Sequence, residues 1–168
     1  MTLLARLFDG LLDAMAAVAC AIIALIFVGI VADVTSRSLG FGALTWVVGV
    51  SEYGLLYVTA LGAPWLLRER GHVAMEVFRS LMSPGLALAA EKLVCALCLA
   101  ACLVALRAGW PAMIDAWDVM DVRSIYMPRG ALFVPVLVSF ALLALQFMRA
   151  LLGGVSIYAG LSFEQESL

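Results

Sequence analysis

The sequence predicts an all-α integral membrane protein with four transmembrane helices, and three observations lead to that fold class. Hydrophobic residues make up 65% of the 168 residues and charged residues only 13%, and the mean hydropathy is +1.12. Soluble domains have roughly 45–50% apolar and about 25% charged residues, and a soluble domain of this size cannot hide the excess. The apolar residues also form four long blocks, without the period of two that a membrane β-barrel requires.

Each apolar block is long enough to cross a bilayer as a helix. The expected spans cover residues 14–36, 46–67, 86–108 and 129–150. A spanning helix needs roughly 20 apolar residues, and a helix satisfies its own backbone hydrogen bonds inside lipid. We therefore expect residues 1–168 to form a single four-helix transmembrane domain, with little room for a catalytic domain.

The segment before the first span is predicted to be a short interfacial helix. In residues 1–13, apolar side chains share one helical face and the charged ones lie elsewhere, as in helices that rest on a membrane surface. A plain continuation of the first span is the alternative. A signal peptide is rejected because Arg6 is offset by Asp9 and Asp13 and because the apolar run is too long.

Charged residues in the first two spans are predicted to pair with one another. Glu52 interrupts the second span, and a carboxylate in that position is costly unless it has a partner or a function. Asp33 precedes Arg37 by one helical turn, and the second helix runs back beside the first. We expect an ion-pair cluster of Asp33, Arg37 and Glu52 near the periplasmic boundary. A transport role for Glu52 is the alternative.

The third span carries a charged pair near its start and three cysteines on one face. Glu91 and Lys92 are expected to set the depth of the helix, with the lysine reaching the interface. Cys95, Cys98 and Cys102 recur at i, i+3 and i+7. We interpret them as small packing residues, since no histidine accompanies them and a soft-metal site usually needs four donors. No metal or cofactor is expected.

The connection to the fourth span is rich in tryptophan and aspartate. Trp110 and Trp117 fall on one arc of a helix, while Asp115 faces the other way, which is typical of an amphipathic stretch at the outer interface. Pro128 suits the start of the fourth helix, and Pro135 would bend that helix unless it lies within the first turn.

The basic residues indicate how the chain is oriented. The side that holds both termini carries six basic residues, and the other side carries Arg37, Arg107, Arg123 and Arg129. Cytoplasmic loops carry the excess of Lys and Arg, so we expect both termini to be cytoplasmic.

Composition and motifs exclude other functions. Ten Lys and Arg residues against twelve Asp and Glu residues give a net charge of −2, and no basic stretch is present for nucleic acid. Walker, GxSxG, HExxH and dinucleotide motifs are missing. His72 is the only histidine, so bis-histidine haem ligation within one chain is impossible. We do not expect an enzyme.

A set of spaced residues runs through the first two spans and the loop that follows. The set begins with an arginine at the end of the first span and a Trp-x5-Glu pattern in the second span. The second span also contains small residues, and it is followed by Arg-Gly-His and then by an acidic residue. Its members are Arg37, Trp46, Glu52, Gly62, Arg70, Gly71, His72 and Glu76. Together with four spans, this set resembles the small membrane subunit (DctQ family) of tripartite ATP-independent periplasmic (TRAP) transporters, with Glu76 as a conservative departure.

The resemblance implies a scaffold subunit in the bacterial inner membrane, anchored among membrane lipids. It implies a large permease subunit that carries the substrate and sodium sites, and a periplasmic solute-binding protein that delivers an organic acid-type solute. Uptake would be driven by an ion gradient, usually of sodium, without ATP. The alternative hypothesis is a self-contained small homodimeric exporter that couples to protons through Glu52.

Overall fold

Four long helices make up most of the protein. The structure is a computed structural model, and it describes residues 3–69, 84–121 and 126–152. The helices are α1 (Leu3–Ser38), α2 (Thr45–Arg68), α3 (Pro84–Asp115) and α4 (Gly130–Leu152). All four are long and apolar enough to cross a membrane. The predicted fold class, an all-α membrane protein with four spanning helices, is confirmed.

The first helix is longer than the predicted first span. It has 36 residues, which corresponds to roughly 54 Å. From Leu3 onwards the expected interfacial helix of residues 1–13 is not a separate element but continues into the span, so the alternative is correct. One glycine, Gly10, costs only about 1 kcal/mol in a helix, and the nearby side chains of Leu12 and Met15 are buried. The segment therefore has a packing reason to stay helical.

The helices lie side by side in the order α1, α2, α4, α3. Among the described residues, α1 contacts α2, α2 contacts α4, and α4 contacts α3. This arrangement leaves much apolar surface uncovered within the chain, because only 17% to 22% of each span's most apolar stretch is buried. The uncovered surface is available to lipid or to a partner protein.

Glycines let neighbouring helices approach closely. A Cβ atom at Gly54 of α2 would lie 2.8 Å from the Ile26 side chain of α1. A Cβ atom at Gly130 would lie 2.5 Å from the Trp117 ring and 2.9 Å from the carbonyl oxygen of Met113. Small residues at helix contacts serve this purpose in membranes, where dispersion contacts supply much of the attraction between helices.

A small hairpin joins α3 to α4. Its strands, β1 (Met120–Asp121) and β2 (Met127–Pro128), are antiparallel. The predicted amphipathic stretch is helical only as far as Asp115, and Pro128 lies in β2 just before α4 instead of inside it.

Pro135 lies in the second turn of α4, where it removes one helical hydrogen bond. A proline has no N–H, so the carbonyl four residues earlier, that of Ala131, loses its usual donor. The Tyr57 hydroxyl of α2 donates to that carbonyl at 3.2 Å. The tyrosine replaces the missing donor and links α2 to α4.

Candidate functional site

The loop end of the molecule, where residues 39–44 connect α1 to α2, is organised around one carboxylate. Asp33 Oδ2 forms an ion pair with the Arg37 guanidinium at 2.7 Å. Asp33 Oδ1 accepts a hydrogen bond from the backbone N–H of Leu44 at 2.6 Å. The turn is tight because Gly40 and Gly42 have φ values of +80° and +93°, which glycine adopts without strain. Asp33 thus holds the start of α2 against the end of α1.

The opposite end, which we call the terminal end, is organised around Arg68 at the end of α2. Its guanidinium forms an ion pair with Asp13 of α1 and donates to the carbonyl oxygen of Asp9 at 3.0 Å. It also pairs with the neighbouring Glu69 at 3.1 Å. Only 24% of the Arg68 side chain is exposed. One guanidinium therefore ties the first half of α1 to the end of α2.

The fourth helix joins the terminal end through two further contacts. The Gln146 side-chain amide donates to the carbonyl oxygen of Pro64 at 2.8 Å. The guanidinium carbon of Arg149 lies 5.4 Å from the ring centroid of Phe8, which is within the range of a cation–π contact. Three helices thus converge at this end. Arg68 and Arg149 are two of the six basic residues that indicate the orientation of the chain, and the sequence did not predict their cluster.

The two ends are separated by the thickness of a membrane. Asp13 and Asp33, which anchor the two clusters, are about 20 residues apart on α1, or roughly 30 Å. This matches the hydrocarbon thickness of a typical bilayer, which is about 30 Å. The stretch between them, residues 14–32, contains no charged residue. We therefore expect the membrane boundaries to lie at the two clusters.

The structure brings together part of the predicted cluster of Asp33, Arg37 and Glu52. The first two residues form an ion pair. Glu52 lies on an exposed part of α2, about two turns beyond the backbone group that Asp33 binds, and its membership of the cluster stays a prediction. Trp46 is 47% exposed in the first turn of α2. At Gly62, a Cβ atom would have open space around it.

The remaining residues of the predicted motif, Arg70, Gly71, His72 and Glu76, lie outside the described residues. On α3, Glu91 is buried while Lys92 is exposed, so the two neighbours lie on different faces of the helix. Cys95 and Cys102 are buried on the packed side of α3, as expected of small packing residues.

A protein-family model matches most of the chain. The model of the DctQ component of tripartite ATP-independent periplasmic transporters matches residues 26–156, which is more than half of the chain. No curated protein and no solved structure matches the chain. The matched residues include the whole loop-end cluster and Arg68, but they begin after Phe8, Asp9 and Asp13. The match lends no support to a self-contained exporter.

Proposed function

Because the chain belongs to the DctQ family of tripartite ATP-independent periplasmic transporter components, we propose that it is the small membrane subunit and acts as a fixed scaffold. The large permease subunit carries the substrate and sodium sites. A periplasmic solute-binding protein delivers an organic acid-type solute, and an ion gradient drives its uptake. The chain lies in the inner membrane with its terminal end in the cytoplasm.

The observation that carries the scaffold role is where Asp33 and Arg68 connect α1 to α2. Asp33 accepts the backbone N–H of Leu44 at the loop end and Arg68 pairs with Asp13 at the terminal end, whereas glycine and aliphatic side chains meet between α1 and α2 in the middle of the spans. Such contacts fix the helices to each other. A transport site, in contrast, gathers polar groups at mid-membrane depth around a solute.

The uncovered apolar surface supports a role beside a larger membrane protein. Phe27 of α1 is 68% exposed and Val104 of α3 is 67% exposed, and these helices lie at opposite ends of the row. A second membrane protein can pack against such faces as well as lipid can. The uncovered sides increase the surface over which the transporter is anchored.

The orientation rests on the basic residues at the terminal end. The side that holds both termini carries six basic residues, among them Arg68 and Arg149, and the other side carries Arg37, Arg107, Arg123 and Arg129. The cytoplasmic side of a membrane protein carries the excess of positive charge, which supports cytoplasmic termini.

Solute uptake into membrane vesicles tests this function. Vesicles containing the chain alone, or the chain with the large subunit, receive an imposed sodium gradient, the binding protein and a panel of labelled organic acids. We expect uptake only when all three proteins are present, and loss of uptake when an ionophore collapses the gradient. Uptake by the chain alone that is abolished by Glu52→Gln would instead support the exporter.

A further inference from the structure

A pocket of about 240 Å³ opens at the terminal end, between α1, α2 and α4. Its apolar lining includes Phe8, Leu67 and Phe147, and its charged lining consists of Asp9, Arg68 and Arg149. The pocket therefore offers an apolar wall together with groups of both charges. Ligands that match such a lining have an apolar part and a head with separated charges.

The depth of the pocket is that of lipid headgroups. Asp13 marks the membrane boundary, and Phe8 and Asp9 lie about one turn farther along α1, or roughly 6–7 Å. The headgroup layer on each side of the hydrocarbon is about 5–8 Å thick. A phospholipid in this leaflet has its phosphate at the level of the pocket.

The charged groups of the pocket differ in how far they are neutralised. Arg68 is paired with Asp13 and Glu69, so little of its charge remains for a ligand. Neither Arg149 nor the Asp9 carboxylate has an ion-pair partner within the described part of the chain. The pocket thus presents one guanidinium and one carboxylate that are both available.

We propose that this pocket binds the headgroup of an aminophospholipid, with the phosphate on Arg149 and the ammonium group on Asp9. A guanidinium fork matches phosphate oxygens in a bidentate fashion, and the Phe8 ring holds the Arg149 guanidinium at the rim. Basic pockets between membrane helices on the cytoplasmic side are a known mode of headgroup binding. The carboxylate of Asp9 favours a headgroup that carries a primary amine over one that is only anionic.

The proposal depends on the placement of the terminal end at a membrane surface and not on the scaffold role. Phe8 and Asp9 also lie outside the residues that the family model matches. The headgroup site is thus an inference about this chain, and its failure would leave the scaffold proposal standing.

Native mass spectrometry of the full chain in detergent tests the site. The chain is titrated with phosphatidylethanolamine, phosphatidylglycerol or phosphatidylcholine, and bound lipid is counted. We expect phosphatidylethanolamine to bind best, and Arg149→Gln to weaken its binding by about tenfold, the loss typical of one charge-assisted contact. The matched control is Arg107→Gln, which removes an exposed arginine of α3 toward the loop end and should change nothing.

A second variant tests the assignment of the two charges. Asp9→Asn should remove the preference for phosphatidylethanolamine over phosphatidylglycerol while both lipids still bind, because the phosphate contact remains. Soluble glycerophosphoethanolamine, added in excess, distinguishes a membrane lipid from a free phosphate ester, and we expect it to compete poorly. Equal binding of the three lipids by the unmodified chain, or unchanged binding by Arg149→Gln, would overturn the proposal.

Circular dichroism establishes that each variant keeps its helices. Both substituted residues have partly or fully exposed side chains, so the fold should persist. If Arg149→Gln nevertheless fails to fold, the lipid preference of Asp9→Asn decides the question alone.

Discussion

The two ends of the molecule are held together in different ways. At the loop end, Asp33 binds residues that are four and eleven positions away. At the terminal end, apart from the neighbouring Glu69, the partners of Arg68 and Gln146 lie between 55 and 82 positions away. The short connection of residues 39–44 already keeps the loop ends of α1 and α2 together. The described residues at the terminal end have no such connection, so side chains must supply the link.

The stability of the helix row depends on single residues more at the terminal end than at the loop end. Loss of a contact at the loop end leaves the chain connection in place. Loss of Arg68 removes its ion pair with Asp13 and its hydrogen bond to the Asp9 carbonyl oxygen at the other end, and it leaves the carboxylates of Asp13 and Glu69 without their shared cation. Substitutions should therefore be more damaging at the terminal end.

The largest effect is expected from Arg68→Gln. This change removes the contacts to Asp9, Asp13 and Glu69 together. We expect the free energy of unfolding to fall by about 2 kcal/mol, because a hydrogen bond to a charged group contributes about 1.5–3 kcal/mol and partial exposure of the site reduces the effect. Thermal unfolding in detergent, followed by tryptophan fluorescence, measures it. Hydrogen exchange should rise in residues 3–12. Unchanged exchange there would show that Arg68 does not hold this segment.

A smaller effect is expected from Asp33→Ala at the loop end. The change leaves the backbone N–H of Leu44 without its acceptor, at a cost of about 1–2 kcal/mol. Hydrogen exchange should increase only near residues 36–46. Asp33→Asn serves as the control, since its amide oxygen still accepts from Leu44. Faster exchange in residues 3–12 of Asp33→Ala would contradict the independence of the two ends.

Tyr57→Phe should lower the free energy of unfolding by about 1 kcal/mol, because the carbonyl oxygen of Ala131 then lacks a hydrogen-bond donor. The double variant Tyr57→Phe with Pro135→Ala should be less destabilised than the sum of the two changes, since the alanine N–H can restore the helical bond. Unfolding curves of the four proteins in this cycle provide the measurement. Strict additivity would show that the tyrosine does not compensate for the proline.

The smallest effect is expected from Arg37→Gln. Its ion pair with Asp33 is solvent-accessible, with 55% of the arginine side chain exposed, and such pairs contribute about 0–1 kcal/mol. Unfolding at low and high salt should differ little between this variant and the unmodified chain. A loss as large as that of Arg68→Gln would remove the proposed difference between the ends.

The four helices and the ion pair between Asp33 and Arg37 could be predicted from the sequence, because both depend on residues that are close together in the chain. Charge-free runs of sufficient length allow one solution in a membrane, and Asp33 and Arg37 lie one turn apart on the same helix. The periodicity of residues 1–13, in contrast, fits both an interfacial helix and the first turns of a longer one. Packing of Leu12, which periodicity does not reveal, favours the second.

The terminal-end cluster could not be predicted from the sequence. Its partners are distant along the chain, and pairing Arg68 with Asp13 requires the register of α1 against α2, which depends on the contact of Gly54 with Ile26. One feature of the sequence does indicate polar contacts at this end. Gln146 and Arg149 are one turn apart on the fourth helix, whose apolar run otherwise contains few polar residues, and such residues usually have partners.

The most direct test of the scaffold account is the mass of the membrane complex purified through this chain. The tagged chain is isolated in a mild detergent from cells that also express the large permease subunit, and the complex is weighed by native mass spectrometry. We expect the mass of this 17.9 kDa chain plus one large multi-span subunit. A homodimer of the chain alone, with no larger membrane protein bound, would contradict the account.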